Sequence, residues 1–219
     1  MHDMAIYHFD ELDSTQLYAL ECVREGILTL PFCIHATRQS AAIGSRGNAW
    51  SSVPRALTFS FAIATSALPS DLKVESSSIF FGVIMQQYLR ALGSSVWLKY
   101  PNDLYIERGK IGGILTQKLK NTLVCGIGIN LFSEQAAPYA TLESTLSAQI
   151  ETQSFLQGFF ASFAKFTSWK QIFSIYQLEF HKNHSFSFHF HDRLISLQDT
   201  ILNDDGSLSV NGDRIYSLR

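Results

Sequence analysis

The amino-acid sequence predicts an α+β fold, in which a mixed or antiparallel sheet packs against helices and a small β-rich segment follows. Two observations carry this prediction. Runs with strand-like alternation surround one clear helix pattern at residues 78–92 and lead into two Phe-rich helix patterns. After residue 183 the helix patterns stop, and short alternating runs separated by turn residues take their place.

Composition agrees with a folded chain of ordinary size. Of 219 residues, 46% are hydrophobic, 17 are Phe and 16% are charged, and this low charged fraction argues against charge-driven disorder. The net charge of −2 provides no global basic field for nucleic acid. Three cysteines without CxxC spacing and an acidic start unlike a signal peptide predict a cytoplasmic chain. The sequence has no 18-residue apolar run, so we expect no membrane span.

The first 65 residues predict three strands, a helix and a long loop. Asp13, Ser14 and Thr15 are good N-cap residues for a helix over 17–24, and Gly26 ends that helix. The loop is rich in small polar residues, which is typical of a functional segment. The strands are predicted at residues 5–10, 32–37 and 56–65, with the loop at residues 38–54.

The middle of the chain predicts a helix, four more strands and two further helices. Pro101 and the polar pair Asn102-Asp103 interrupt a strand pattern, and Asn121 stands at the turn of a hairpin. The strands are predicted at residues 96–99, 104–106, 111–118 and 122–131, and the helices at residues 78–92, 153–167 and 169–182.

The tail predicts about four short strands. Residues 185–190 and 194–199 alternate, and turn signals follow at residues 203–206 and 211–213. We interpret the tail as a small SH3-like barrel. The predicted division of the chain is therefore residues 1–182 and residues 183–219.

The segment 39–50 is the first candidate site. Gly44 and Gly47 flank Ser45-Arg46, and Trp50 ends the run. Backbone N–H groups and Arg46 in such a loop would face an anionic ligand, and Trp50 would cover a ring. The same composition is also typical of an ordinary flexible loop, so spacing alone leaves both interpretations open.

Two further candidate segments lie close together in the chain. Residues 99–105 place a Lys and an Asn-Asp pair around a proline-stiffened strand break, which suits ligand contacts but equally suits a plain turn. Lys110 precedes Gly112 and Gly113 in a strand pattern, which indicates either close approach of a ligand or a β-bulge. The run 126–131 is too weak for a dinucleotide fingerprint, and the histidines at 181–191 lack a zinc-ligand pattern.

Taken in order, these motifs resemble the biotin protein ligase family. The matching pieces are Asp13-Ser14-Thr15, the run 39–50, Lys99-Tyr-Pro-Asn-Asp-Leu-Tyr, Lys110-Ile-Gly-Gly-Ile-Leu and Gly126-Ile-Gly-Ile-Asn. The resemblance spans residues 13–130, and the β-rich tail also fits. It implies a catalytic domain like that of class II synthetases, in residues 1–182, and a cytoplasmic enzyme.

The resemblance also implies a two-step reaction. Biotin and Mg²⁺-ATP would give biotinyl-5′-AMP and pyrophosphate, and a lysine of the biotin carboxyl carrier protein of a biotin-dependent carboxylase would then take the biotin. Lys110, Asp103 and Arg46 would be the catalytic residues, with Asp103 a candidate metal ligand. The residues implied for biotin are Ser14, Thr15, Gln39, Gly112 and Gly113, and those implied for ATP and the adenylate are Gly44, Gly47, Trp50, Lys99, Asn102 and Asn130.

The chain departs from the family pattern in the loop. Ile43, Ser45 and Asn48 stand where the family usually has arginines, so Arg46 would take over part of the phosphate contact. Many bacterial relatives begin with a DNA-binding domain, whereas this sequence starts at the catalytic motifs. We therefore expect a short ligase that does not bind DNA, with a homodimer as a further expectation.

Two rival functions remain at this stage. One is a lipoate or octanoate ligase or transferase of similar fold, against which the residues 99–103 and the Gly112-Gly113 pair favour biotin. The other is a non-catalytic module that binds biotin or a carrier protein, suggested by the arginine-poor loop. A module of that kind would bind biotin without releasing pyrophosphate.

Overall fold

A computed structural model describes residues 4–45, 48–50, 53–133, 139–190 and 193–216. In chain order the elements are β1 (Ala5–Leu12), α1 (Thr15–Glu25), β2 (Phe32–Gln39), β3 (Arg55–Ala64), α2 (Ser77–Ala91), β4 (Trp97–Lys99), β5 (Asp103–Ile106), β6 (Gly109–Leu119), β7 (Thr122–Phe132), α3 (Ser144–Gln149), α4 (Thr152–Phe163), α5 (Trp169–Glu179), β8 (Ser187–Phe190), β9 (Arg193–Ser196), β10 (Ile201–Leu202), β11 (Leu208–Val210) and β12 (Asp213–Ile215).

The core of the fold is a mixed seven-stranded sheet with the strand order β1-β2-β3-β7-β6-β5-β4. Strands β1 and β2 are parallel and are joined through α1, whereas every other neighbouring pair in this sheet is antiparallel. Helices pack on the sheet. The predicted α+β class is therefore confirmed.

The alternation of large and small residues in β3 determines which side chains each face of the sheet carries. Leu57, Phe59, Phe61 and Ile63 belong to the main hydrophobic core, as the period of two along a strand predicts. The residues between them are small, namely Thr58, Ser60 and Ala62, and all three are buried. One face of the strand thus fills the core, and the other leaves room above it.

Helices α2, α4 and α5 form the layer on the core face. The aromatic side chains of α2 and α4 meet those of β3 largely edge to face, as in the pair Phe61–Phe81, whose ring centroids are 5.0 Å apart. Such pairs contribute about 0.5–1.5 kcal/mol each beyond the burial of their area. An ion pair between Arg90 and Glu179 links α2 to α5.

Helix α1 covers part of the other face. Ala19, Leu20 and Cys22 pack there with residues of β2, β3 and β7 in a second, smaller core. The helix begins after the predicted N-cap Ser14 and ends at the predicted Gly26, whose φ of 66° is left-handed, a conformation that favours glycine.

Element boundaries differ from the predictions in several places; α4, for example, ends at Phe163 and not at residue 167. Helix α3 was not predicted, because its sequence STLSAQ has little hydrophobic periodicity. Helix α5 ends at Glu179, and a 3₁₀ turn over Phe180–Asn183 replaces the predicted last turn. Strand β6 already begins at Gly109 because its first residues pair with the end of β5.

The C-terminal strands do not close into a barrel. Among the described residues, β8 pairs with β9, and β10, β11 and β12 form a separate three-stranded sheet, so the predicted SH3-like segment is not a closed barrel. A 3₁₀ turn at Leu197–Asp199 separates the two sheets. Leu197 is fully buried in the main core, which explains why the chain turns inward there.

Contacts join the C-terminal strands to the rest of the chain. The main core continues past residue 183 through Phe188, Leu208 and Ile215. The carboxylate of Asp205 accepts hydrogen bonds from Lys73 and from side chains of its own segment. The division into residues 1–182 and 183–219 stays a proposal. In the described part of the chain, no helix is long and apolar enough to cross a membrane.

Candidate functional site

A cavity of about 410 Å³ opens on the face of the sheet that carries α1, within the size range of small-molecule sites. Its floor consists of small residues on three adjacent strands. These are Thr58 and Ser60 of β3, Gly126 and Gly128 of β7, and Gly113 of β6. Because none of them carries a large side chain, they leave space for the cavity above the sheet. The walls are formed by the start of α1, by residues within 39–45 and 48–50, and by Asn102, Asp103 and Lys110.

The start of α1 supplies the first group of polar residues. The Ser14 hydroxyl accepts a hydrogen bond from the N–H of Leu17, at 3.4 Å, as an N-cap does. The N–H of Thr15 donates to Oε1 of Gln39 at 2.7 Å, and the Thr15 and Ser60 hydroxyls are 3.0 Å apart. The structure therefore brings together three residues predicted for biotin: Ser14, Thr15 and Gln39.

Gln16 is a cavity residue that the sequence analysis missed. Its side chain is buried, and Nε2 donates to Oε1 of Gln117 at 2.9 Å. Its Oε1 atom has no hydrogen-bond partner among the described residues. A single glutamine in the first turn of a helix carries no motif, so its position next to Ser14-Thr15 was the one signal available.

Asp103 organises the cationic part of the cavity. Its Oδ1 lies 2.6 Å from Nζ of Lys110, and its Oδ2 lies 3.7 Å from Nζ of Lys99. A register shift between β5 and β6 sets Asp103 opposite Gly113 while Tyr105 faces Lys110. Asp103 and Lys110 line the cavity. The buried Lys99 does not, and its amine lies 5.7 Å from the centroid of the Tyr105 ring.

The surroundings of Asp103 bear on its predicted role as a metal ligand. Both Asp103 oxygens face lysine amines, and the described residues contain no cluster of three His, Cys, Asp or Glu side chains that could hold a metal ion. The ligand role predicted for Asp103 therefore stays a prediction. Mg²⁺ in nucleotide sites often takes most of its ligands from phosphate and water.

Two asparagines predicted for the nucleotide line the cavity. Asn102 is bound to strand β6 twice, since its Nδ2 donates to the carbonyl of Ile114 at 2.8 Å and its carbonyl accepts from the Ile114 N–H at 2.8 Å. Asn130 donates through Nδ2 to the carbonyl of Ala140 at 3.2 Å. Its Oδ1 is buried and has no partner among the described residues.

Gly112 and Gly113 have different surroundings. Gly113 lines the cavity, and a Cβ there would lie 3.6 Å from the Trp50 ring. A Cβ on Gly112 would instead lie 2.5 Å from the carbonyl oxygen of Gly128, and Gly112 does not line the cavity. Neighbouring residues of a strand point to opposite faces, so Gly112 allows close approach of backbone to backbone, and its predicted contact with the ligand stays a prediction.

Residues 42–45 and 48–50 are joined by backbone hydrogen bonds beside the cavity. The N–H of Gly44 donates to the carbonyl of Asn48 at 2.7 Å, and the N–H of Trp50 donates to the carbonyl of Ala42 at 2.8 Å. Within the predicted loop, Ile43 and Ala49 thus form an isolated antiparallel bridge. Gly44 and Trp50 line the cavity as predicted. The predicted Arg46 and Gly47 lie outside the described residues, and their phosphate contacts stay predictions.

The Trp50 ring lies close to the glycines of the floor. A Cβ on Gly128 would be 2.9 Å from this ring, and Nζ of Lys110 is 5.7 Å from its centroid. Nε1 of Trp50 is buried and has no partner among the described residues. The indole therefore needs the glycine surface of β7 in order to occupy this position.

Comparisons with known proteins agree with this geometry. Residues 9–131 match the model of the biotin/lipoate A/B protein ligase family. The chain is similar to the bifunctional ligase/repressor BirA of Escherichia coli, with 32% identity over 126 residues, which are 55% of this chain and 38% of BirA. The chain thus spans about two fifths of the curated relatives that it matches.

Solved structures are similar over nearly the whole chain. Biotin acetyl coenzyme A carboxylase synthetase from Helicobacter pylori, with bound biotinylated ATP, superposes with a TM-score of 0.91 and 39% identity, covering 98% of this chain and 100% of that one. Biotin protein ligase from Leishmania major has a TM-score of 0.70 and 20% identity over 97% and 98% of the two chains, which shows a common fold. From the matched residues 9–131 and this likeness over the full length, the chain belongs to the biotin/lipoate A/B protein ligase family.

Proposed function

We propose that this protein activates biotin with ATP to biotinyl-5′-AMP and transfers the biotin to a lysine of a biotin carboxyl carrier protein. One observation carries the proposal: a single cavity combines neutral hydrogen-bonding groups at the start of α1 with the cationic Lys110. Biotin has the matching ends, a polar cyclic urea and a carboxylate. The full-length likeness to a synthetase holding biotinylated ATP supports the same conclusion.

The register of the sheet fits the length of such a ligand. Gly113 pairs with Gly128 beside Asp103, and Leu115 pairs with Gly126 near Gln16. At about 3.3 Å per residue along a strand, these two levels are about 7 Å apart. The cyclic urea would thus lie near the start of α1, and the carboxylate would extend towards Lys110.

In the first step, the biotin carboxylate attacks the α-phosphorus of ATP. A carboxylate–phosphate bond forms, the bond between the α-phosphorus and the bridging oxygen breaks, and pyrophosphate leaves. Lys110 would stabilise the negative charge that develops on the phosphate oxygens. Asp103 would hold the Lys110 ammonium in position through its 2.6 Å ion pair.

In the second step, a lysine amine of the carrier protein attacks the acyl carbon of the mixed anhydride. An amide bond forms, and AMP leaves with the pair of electrons of the acyl–oxygen bond. Residues 39–45 and 48–50 would exclude water from this anhydride, because several of them, including Trp50, line the cavity. Asn102, Asn130 and Gly44, with the predicted Gly47, would surround the nucleotide.

Mg²⁺ stays a prediction for the ATP step. The described side chains around Asp103 do not provide a ligand set for it, and no step above is assigned to the metal. A homodimer and a cytoplasmic location are also proposals. The location is supported by three cysteines that are all free and buried, which is typical of a reducing compartment.

Isotope exchange between pyrophosphate and ATP, measured separately with biotin, lipoate and octanoate, tests the proposal. We expect exchange that depends on biotin and a much lower rate with the two other acids. The reverse order would support the rival lipoate or octanoate ligase, whereas a transferase would show no exchange with any of the three acids. Binding of biotin without any exchange would instead indicate the non-catalytic module.

A further inference from the structure

A buried asparagine at the start of the C-terminal segment contacts the strand break that carries Asn102 and Asp103. Asn183 is fully buried and ends the 3₁₀ turn Phe180–Asn183. Its Oδ1 atom accepts a hydrogen bond from the N–H of Tyr100 at 2.7 Å. Because only the oxygen of an amide side chain can accept from an N–H, this bond fixes the orientation of the Asn183 amide.

Tyr100 is the first residue of the three-residue connection between β4 and β5. Lys99 and Asp103 pair with each other at the two ends of this connection, and Pro101, in its middle, has no N–H to donate. The last residue, Asn102, is bound to β6 through both its side chain and its backbone carbonyl. The sheet therefore holds the far end of the connection, and the buried asparagine holds its near end.

The side chain of Tyr100 also faces the C-terminal segment. Its ring meets that of Phe188 edge to face, with centroids 5.4 Å apart, and its hydroxyl donates to the carbonyl of Ile215 at 3.4 Å. Tyr100 is almost fully buried, so it cannot shift without disturbing these contacts. Residues outside the seven-stranded sheet thus set the position at which the connection starts.

The far end of the same connection leads to the ion pair in the cavity. Asp103 follows it directly, and Oδ1 of Asp103 lies 2.6 Å from Nζ of Lys110. A displacement of Tyr100 would therefore pass along two residues to the carboxylate that holds this lysine. Asn183 does not line the cavity, so it can influence the reacting groups only through the residues that it holds.

We propose that Asn183 is a positioning residue for the first step of the reaction, which acts through the N–H of Tyr100 on the ion pair of Lys110. The inference rests on the proposed function and extends it to a residue outside the cavity. A misplacement of reacting groups by about 1 Å can cost about 10²-fold in rate. The start of α1 forms a different part of the cavity wall, so the affinity for biotin should not depend on Asn183.

The test measures biotin-dependent exchange of pyrophosphate into ATP by the whole chain, by Asn183→Leu and by Asn183→Asp. Leucine has a similar size and removes the acceptor, whereas aspartate keeps an oxygen at the same place. In Asn183→Leu we expect the kcat of exchange to fall about 10–100-fold. The dissociation constant of biotin, measured by calorimetry, should stay unchanged, and Asn183→Asp should recover most of the lost rate.

A double variant distinguishes positioning from a general effect on the fold. If Asn183 acts through Lys110, the combination of Asn183→Leu with Lys110→Ala should lose no more rate than Lys110→Ala alone, because the effects of residues that act as a unit are not additive. A loss equal to the product of the two single losses would overturn the inference, since it would show that Asn183 acts independently of the lysine.

Asn203→Leu is the matched control within the C-terminal segment. The Asn203 amide donates to the hydroxyls of Ser207 and Ser209, and none of these three residues lines the cavity. This variant should lower the urea midpoint and keep the kcat of the parent chain, because it loosens the segment without touching the strand break.

Phe188→Leu keeps the test decisive if Asn183→Leu does not fold. It leaves the asparagine intact and removes the ring contact with Tyr100, so kcat should fall there too without a change in the affinity for biotin. An unchanged kcat in Asn183→Leu, or in Phe188→Leu where Asn183→Leu does not fold, would overturn the inference, and so would a biotin affinity that falls together with kcat. Absence of exchange by the parent chain is a different result, which would overturn the proposed function itself.

Discussion

Replacing Lys110 by alanine separates the proposed catalytic role of this lysine from its role in the fold. Nζ of Lys110 lies 2.6 Å from Oδ1 of Asp103, and 30% of its side chain is exposed. In the variant Asp103 keeps a cationic neighbour, because Nζ of Lys99 is 3.7 Å from Oδ2. The carboxylate is therefore not left alone in a buried site.

The two expected effects differ greatly in size. A partly exposed ion pair stabilises a fold by about 0.2–1 kcal/mol, so the free energy of unfolding should fall by no more than that. A preorganised charge at a developing anion is worth about 3–4 kcal/mol, which corresponds to a 10²–10³-fold loss of rate. Lys110→Ala should thus lose nearly all biotin-dependent exchange of pyrophosphate into ATP while it remains folded.

The assay combines that exchange rate with the urea midpoint. Lys182→Ala serves as the control, because Lys182 is a similarly exposed lysine whose ion pair with Glu179 lies outside the cavity. It should keep the exchange rate of the parent chain. Exchange by Lys110→Ala within a few-fold of the parent rate would refute the catalytic assignment, and a midpoint lowered far more than in the control would show that the lysine acts through the fold.

Three further predictions concern stability and reactivity. Burial lowers the pKa of His35 to about 4, against about 6.5 in an unfolded chain, so the unfolded chain binds a proton at a higher pH than the folded chain does. Urea titrations should therefore show a free energy of unfolding that is highest above pH 6.5 and falls by about 3 kcal/mol as the pH drops to 4, and His35→Asn should remove this dependence on pH. Burial acts to raise the pKa of Asp205, but the hydrogen-bond donors around it hold that pKa well below its usual range. Asp205→Ala should therefore lower the free energy of unfolding at pH 7 by about 1–3 kcal/mol, and this difference between the parent chain and the variant should disappear only below about pH 4. Burial raises the pKa values of the thiols of Cys22, Cys33 and Cys125. A thiol reagent should therefore react slowly with the native chain, and three thiols per chain should react after unfolding.

Much of the fold follows from local patterns. The alternation of Phe59 and Phe61 and the periodicity of residues 78–92 predict β3 and α2 because their side chains must face one core. Ser14 and Gly26 mark the ends of α1 because backbone groups at helix termini need partners or a left-handed residue. The separation of the tail into two small sheets did not follow, since Leu197 turns inward through packing against distant residues.

Part of the candidate site also follows from the sequence. Ser14, Gln39, Asp103, Lys110 and Trp50 lie in motifs whose residue types indicate their chemistry, and the structure brings all of them to one cavity. The sequence by itself therefore determined the fold class, the family resemblance and most of the polar lining.

Only the tertiary structure decided how neighbouring residues divide their tasks. Gly113 faces the cavity while Gly112 faces the backbone of β7, and Lys99 is buried behind the Asp103 that Lys110 reaches from the cavity side. The side chain of Gln16 is held beside Gln117 and Gly126, which lie more than 100 residues further along the chain. Strand register and face set these relations, and both depend on pairing between distant segments that local sequence does not encode.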